Sequence, residues 1–185
     1  MIDICNLIED STERVSLRLN KNVLAKIKRE ADENEMSINA SVNRILKLHT
    51  EWHSNAVRAG FITVRKAAIL KLLEKVSDEE MKQIGHYVAA SQSKDFVLML
   101  RNEYDINSAL DVIETWIKIS GYPYVHETKY QKQYYFIQHD MGKKWSLYLS
   151  EAYAFIFEEF GQKRPQFEIR DNTLSFETTA KVETR

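Results

Sequence analysis

The first 59 residues contain neither Gly nor Pro, and the first of either is Gly60. A segment of that length without a residue that favours a left-handed turn or breaks a helix leaves little besides helix and short strand to build with. The shortage runs through the whole chain: five Gly and two Pro among 185 residues, about 4% against roughly 12% in average proteins. Collagen-like, low-complexity and turn-dense all-β chains are thereby excluded, and the expected class is mainly α with an α+β C-terminal part. The only cysteine, Cys5, cannot close an intramolecular disulfide, and neither a cleavable signal nor an 18-residue apolar run is present. The expectation is a soluble, cytoplasmic protein without a membrane partner.

The 26 basic and 27 acidic side chains nearly cancel, but the cancellation is not uniform along the chain. Residues 1–13 carry Asp3, Glu9, Asp10 and Glu13 and no Lys or Arg, which reads as a loosely ordered acidic lead. Residues 14–29 then hold Arg14, Arg18, Lys21, Lys26, Lys28 and Arg29 with no acid at all. A basic block of this kind attracts polyanions whatever the whole-chain sum.

Within the block Val15, Leu17 and Leu19 alternate with Arg14, Ser16, Arg18 and Asn20, the period of a strand with one apolar face. Leu24, Ile27 and Ala31 follow at helical spacing behind Asn20, a suitable N-cap, and Ser37 caps a second helix whose apolar stripe is Val42, Ile45 and Leu46, with His49 and Trp52 beyond. Strand, helix, turn and helix in this order and spacing resemble the ribbon-helix-helix family of DNA-binding proteins. The matching stretches are V15-S16-L17-R18-L19-N20, L24 with I27 and A31, and S37 through L46. The resemblance covers about 40 residues, and it implies a dimer.

A lone six-residue strand leaves its backbone groups unpaired unless a second copy supplies the other strand. By the resemblance, the paired strands enter the major groove of double-stranded DNA, with Ser16, Arg18 and Asn20 facing base edges and Arg18 best suited to a guanine. Arg14, Lys21 and the N-terminal amides of the second helix at Ser37, Ile38 and Asn39 are implied as phosphate contacts. Val15, Leu17, Leu19, Val42, Ile45 and Leu46 are implied as the dimer interface. The family commonly has Gly in the turn before the second helix; here the turn is Asn34-Glu35-Met36. Asn34 is expected in the left-handed conformation, and Glu35 falls beside the anion-binding end.

Gly60 is read as the break between this unit, 14–59, and a C-terminal region, 61–180, helical over 63–120 and α+β over 106–180. Thr63 caps a helix to about Val76, and Ser77 with Glu80 forms a capping box for another to about Ala90. Phe96–Leu100 reads as a shorter apolar segment. Ile106–Ile119 is helical with Leu110, Ile113 and Ile117 on one face. Strands are expected at 124–130 and 133–139 around Gln131-Lys132, a helix from about Lys144 to Phe160, and strands at 166–170 and 173–178 around Asp171-Asn172. Two helix-plus-hairpin units, whose helices end at Gly121 and Gly161, predict a four-stranded antiparallel sheet with its helices on one face.

The functional expectation is a homodimeric transcriptional regulator, a repressor in the first instance, whose C-terminal region senses a signal or builds higher oligomers. An antitoxin-like protein-interaction module is the first alternative. A metal-responsive regulator is the second, prompted by His126 and His139 on the two strands of one hairpin and by His49 and His53 four residues apart. No cofactor is expected, and the spacing assigns no metal. Ser146, His139 and Asp140 have the residue types of a hydrolase triad without a nucleophile elbow, so no enzyme is expected. The aromatic-rich stretch from Tyr122 to Phe160 reads as core, with exposed tyrosines marking an interface or a small-molecule site.

Overall fold

A computed structural model describes residues 12–130 and 132–179. Nearly all of the acidic lead, Cys5 included, lies outside these residues. The chain divides into two compact units between Leu48 and His49. The division comes earlier than Gly60 because Trp52 belongs to the aromatic packing of the second unit: its ring meets those of Phe61 and Phe96 edge-on, with centroids 5.3 and 5.2 Å away. Among the described residues no helix is long and apolar enough to cross a membrane.

The first unit contains α1 (Lys21–Glu33) and α2 (Ile38–Leu48). Each has the cap the sequence predicts. Asn20 Oδ1 accepts from the Asn22 N–H at 2.9 Å, and Ser37 Oγ accepts from the Ala40 N–H at 3.1 Å, satisfying amides that the helix itself cannot. Ala31 and Ser41 are fully buried, while Leu24, Ile27 and Val42 are half-buried. Residues 12–20 form neither helix nor strand. The expected strand at Val15–Asn20 is therefore not formed in the single chain, where no described segment pairs with it.

The second unit opens with a π-helical turn, His49–His53, and α3 (Ser54–Ala56), so His49 and Trp52 do not extend the stripe of α2 as expected. α4 (Lys66–Leu73) is shorter than predicted. α5 (Asp78–Arg101) is longer: it absorbs the Phe96–Leu100 segment and runs 24 residues. Ser77 and Glu80 make the predicted capping box, with Glu80 Oε2 accepting from the Ser77 N–H at 2.7 Å. α6 (Ile106–Ile119) follows, then β1 (Tyr124–Lys129), β2 (Lys132–Gln138), α7 (Lys143–Glu159), β3 (Gln166–Ile169) and β4 (Thr173–Thr178).

The strands form one antiparallel sheet in the order β1-β2-β4-β3. The first hairpin turns one residue earlier than expected. Lys129 pairs with Lys132, and Tyr130, next after β1, takes the positive φ of +50° that a tight hairpin turn demands; Gln131 lies outside the described residues. Tyr135, Ile137, Leu174 and Phe176 point to one face and pack on Leu110, Ile113 and Ile117 of α6 and Leu149, Tyr153 and Phe157 of α7. Gly121 and Gly161, at φ +69° and +66°, end α6 and α7 in the same way. Tyr122 N–H returns to the Ile117 carbonyl at 3.2 Å and Gln162 N–H to the Phe157 carbonyl at 2.9 Å, the six-to-one bond of a Schellman motif.

α5 packs mainly on α7. Their backbones meet at Gly85, where an added Cβ would stand 2.3 Å from the carbonyl oxygen of Tyr148. At the far end of the chain's sheet, His139 forms an internal lock. The Met141 N–H donates to Nδ1 at 3.1 Å, so the ring hydrogen sits on Nε2 and is donated to Ser146 Oγ at 2.8 Å. That hydroxyl in turn donates to the Arg170 carbonyl at 2.7 Å. Burial pulls the His139 pKa down to about 4.

Two predictions follow from this packing. Gly85→Ala forces α5 and α7 apart; overpacking costs about 1–3 kcal/mol and outweighs the helix-propensity gain of about 1 kcal/mol. The thermal midpoint should fall by several degrees, and an unchanged midpoint would show that the helices do not approach so closely. For His139, the unfolded chain takes up a proton near pH 6.5 and the folded chain only near pH 4. Stability is then complete above pH 6.5 and declines by up to about 3 kcal/mol on acidification through that window. His139→Gln should remove this part of the pH dependence of the urea midpoint; an identical slope in the variant would refute it.

Candidate nucleic-acid interface

The first unit presents the basic segment in the open. Arg14, Ser16, Arg18, Lys21, Lys26, Lys28 and Arg29 are all exposed. None of the six cations makes an ion pair among the described residues; the pair in this unit whose geometry is resolved joins Arg44 of α2 to Glu30 of α1 at 2.8 Å. Six cations within 16 residues, none paired with an acid among the described residues, make a strong local field, because screening at physiological salt acts over about 8 Å and the acids of the second unit's sequence do not enter the block.

The apolar half of the same segment is exposed too. Val15, Leu17 and Leu19 are 69, 59 and 43% accessible, and Ile45 and Leu46 of α2 are 39 and 50%. Of the six residues implied as dimer interface only Val42 is half-buried in the single chain. Apolar side chains in this number, alternating along one segment and striping one helix, are left without the cover that a folded unit normally gives its own core.

Asn20 differs from Ser16 and Arg18. Its Oδ1 is committed to the cap of α1, whereas recognition of adenine needs both the oxygen and the nitrogen of a carboxamide. Ser16 and Arg18 remain without side-chain partners among the described residues. At the start of α2, Ser37 satisfies the Ala40 amide and leaves those of Ile38 and Asn39 as the open donors of the first turn.

The turn before α2 corrects one expectation. Asn34 is not left-handed: its φ is −100°, and Glu35 takes the positive φ of +53°. The reason is the hydrogen bonding that closes α1. Met36 N–H bonds the Ala31 carbonyl at 2.9 Å and Glu35 N–H the Asp32 carbonyl at 3.1 Å, which makes Glu35 the C′ residue of a Schellman motif. Asn34 instead caps with its side chain, Nδ2 donating to the Glu30 carbonyl at 2.7 Å. A glutamate thus occupies the position that Gly121 and Gly161 fill at the ends of α6 and α7.

His126 and His139, considered as metal donors, are engaged elsewhere, and His49 and His53 lie in the π-helical turn. His126 sits between Glu114, 2.7 Å from Nδ1, and Gln133, 2.7 Å from Nε2, and stacks on Tyr135. It pairs with Tyr135 in register, and His139 lies four residues further along, about 13 Å at strand rise, too far for a shared ion. Among the described residues no three His, Cys, Asp or Glu side chains converge as a metal site. Ser146 and His139 are hydrogen-bonded, yet Ser146 is fully buried and its proton points at a carbonyl, while Nδ1 accepts from backbone instead of meeting Asp140. That arrangement supplies neither a reachable nucleophile nor a free base.

Comparison with protein-family models, with curated proteins and with solved structures finds no match for this chain.

The left-handed glutamate gives a direct test of the turn. Glu35→Gly should stabilise α1 and α2 by about 1 kcal/mol by relieving the Cβ clash, seen as slower amide hydrogen exchange at the end of α1. Glu35→Ala removes the charge but keeps the Cβ and should give little of that gain. Equal protection in both variants would assign the effect to charge.

Proposed function

We propose that the chain is a homodimeric DNA-binding transcriptional regulator of the ribbon-helix-helix type. Two copies of the Val15–Asn20 segment pair antiparallel and enter the major groove. The observation that carries this reading is the coincidence, on one short segment, of six cations without an ion-pair partner and a row of apolar side chains without cover among the described residues.

Pairing with a second copy accounts for both. It satisfies the strand's backbone groups, and it buries Val15, Leu17 and Leu19 against Val42, Ile45 and Leu46. It also doubles the cationic block on one face. Arg18 is the base-reading residue, since a guanidinium bonds guanine O6 and N7 together, and Ser16 assists. Arg14, Lys21 and the Ile38 and Asn39 amides hold phosphates and fix the register. The second unit, with its own closed core, is the effector or assembly domain.

Selection from a random DNA pool by the purified full chain at two salt concentrations tests the proposal. A sequence motif should emerge, and affinity should fall steeply with salt. Arg18→Ala should cost about 1–3 kcal/mol on the selected site and relax the choice of base, while Lys21→Ala weakens all sequences alike. A chain that sediments as a monomer at micromolar concentration, or Arg18→Ala binding its site unchanged, overturns the reading. A dimer that enriches no sequence leaves the segment as a dimerisation device alone.

A further inference from the structure

The second unit contains a cleft with two connected chambers between α5, α6 and α7. The smaller chamber, about 160 Å³ and open to solvent, is walled almost wholly by apolar atoms, among them Phe96, Val112, Trp116, Leu149 and Ile156. The larger chamber, about 380 Å³, shares Phe61, Phe96, Ala152 and Tyr153 with it and is lined also by Arg58, Gln92 and Asp95. The lining includes Ala109 of α6 and Ala152 of α7, whose side chains are too small to fill the space.

The chemistry of the two chambers differs in a way that defines a ligand. An apolar cavity of about 150 Å³ accepts a benzene ring, so the smaller chamber has the volume of one aromatic ring, and its aromatic walls offer edges and faces to it. In the lining of the larger chamber, Arg58 and Asp95 are exposed and oppositely charged. Neither makes an ion pair or a side-chain hydrogen bond among the described residues. A purely anionic ligand would meet Asp95 and a purely cationic one Arg58. A compact zwitterion satisfies both, its carboxylate on the guanidinium and its ammonium on the carboxylate.

We propose that this cleft binds a free aromatic α-amino acid, with the ring in the smaller apolar chamber and the carboxylate and ammonium held at Arg58 and Asp95 of the larger one. The site does not depend on the DNA-binding reading, since every residue it uses lies in the second unit.

Titration calorimetry of the full chain, without DNA, against L-phenylalanine, L-tryptophan and L-alanine tests the site. At least one of the two aromatic amino acids should bind saturably at one per chain, and L-alanine, which lacks the ring, should not. Arg58→Ala and Asp95→Ala should each weaken binding about tenfold or more. Phenethylamine, which has the ammonium but no carboxylate, should respond to Asp95→Ala and not to Arg58→Ala. Ala152→Leu fills the junction of the chambers and should abolish binding in a protein whose circular dichroism and melting are intact. No saturable binding of either aromatic amino acid at up to about 10 mM overturns the proposal. So does L-alanine binding equally well, or affinity indifferent to both charge substitutions.

Discussion

Pairing between β2 and β4 joins two halves that could not stand separately. Each half is a helix and a hairpin, and a two-stranded hairpin with one covering helix buries too little to be stable. The six paired positions from Gln133–Thr178 to Gln138–Thr173 put Tyr135 beside Phe176 and Ile137 beside Leu174, so the inward rows of both hairpins become one apolar floor. α6 and α7 can then share it, and α5 has a surface on which to lie. The lock at His139 guards the same seam: the Asn172 carbonyl accepts from the His139 N–H at 2.9 Å, and Asn172 Oδ1 accepts from the Gly142 N–H at 3.1 Å. The turn of the second hairpin is thereby tied to the end of β2 and the start of α7.

The first unit follows the opposite logic. Among its described residues there is no third element to cover its helices, and only Ala31 and Ser41 are fully buried. Two helices of 13 and 11 residues are near the length at which isolated helices are marginal in water. Their caps and the Glu30–Arg44 pair contribute, but exposed ion pairs are worth little. What remains available is the apolar row of the N-terminal segment and the stripe of α2. A second copy is the cover that the proposed dimer supplies.

Most of the second unit was legible in its sequence because its signals are local. The change of period near Tyr124, the Gly after each of two helices and the Ser77–Glu80 box are read within a few residues, and they place α6, the strands and α7 to within a residue or two. The length of α5 was not legible: the Ser91–Asp95 stretch is polar enough to suggest a break, and burial of Val97 between neighbouring helices overrides it. Hairpin register and the left-handed Glu35 were missed for a related reason. Each depends on which hydrogen bonds close a turn, and a residue's own preference, Asn over Glu or Lys over Tyr, does not decide that. In the candidate interface the caps Asn20 and Ser37 were readable, and with the first of them the competition between the helix cap and a base for Asn20 Oδ1, which the geometry resolves in favour of the cap. Arg58 and Asp95 gave no sequence signal, since they are 37 positions apart and neither belongs to a motif.

Charge is distributed differently in the two units, and this bears on why a near-neutral chain can still favour a polyanion. On the outer face of the sheet Glu127 pairs with Lys129, Glu177 with Lys132 at 2.8 Å, and Glu168 with Arg170. These contacts hold the Glu168 and Glu177 carboxyls below the usual carboxylate range. The face therefore carries charge in compensated pairs around exposed Val125, Tyr134 and Phe136, and at physiological salt its field fades within about 8 Å. The cations of residues 14–29 have no such partners among the described residues. Between Glu13 and Glu30 a phosphate approaching that segment meets six positive charges and no carboxylate, so the near-zero sum over the chain does not describe the potential there.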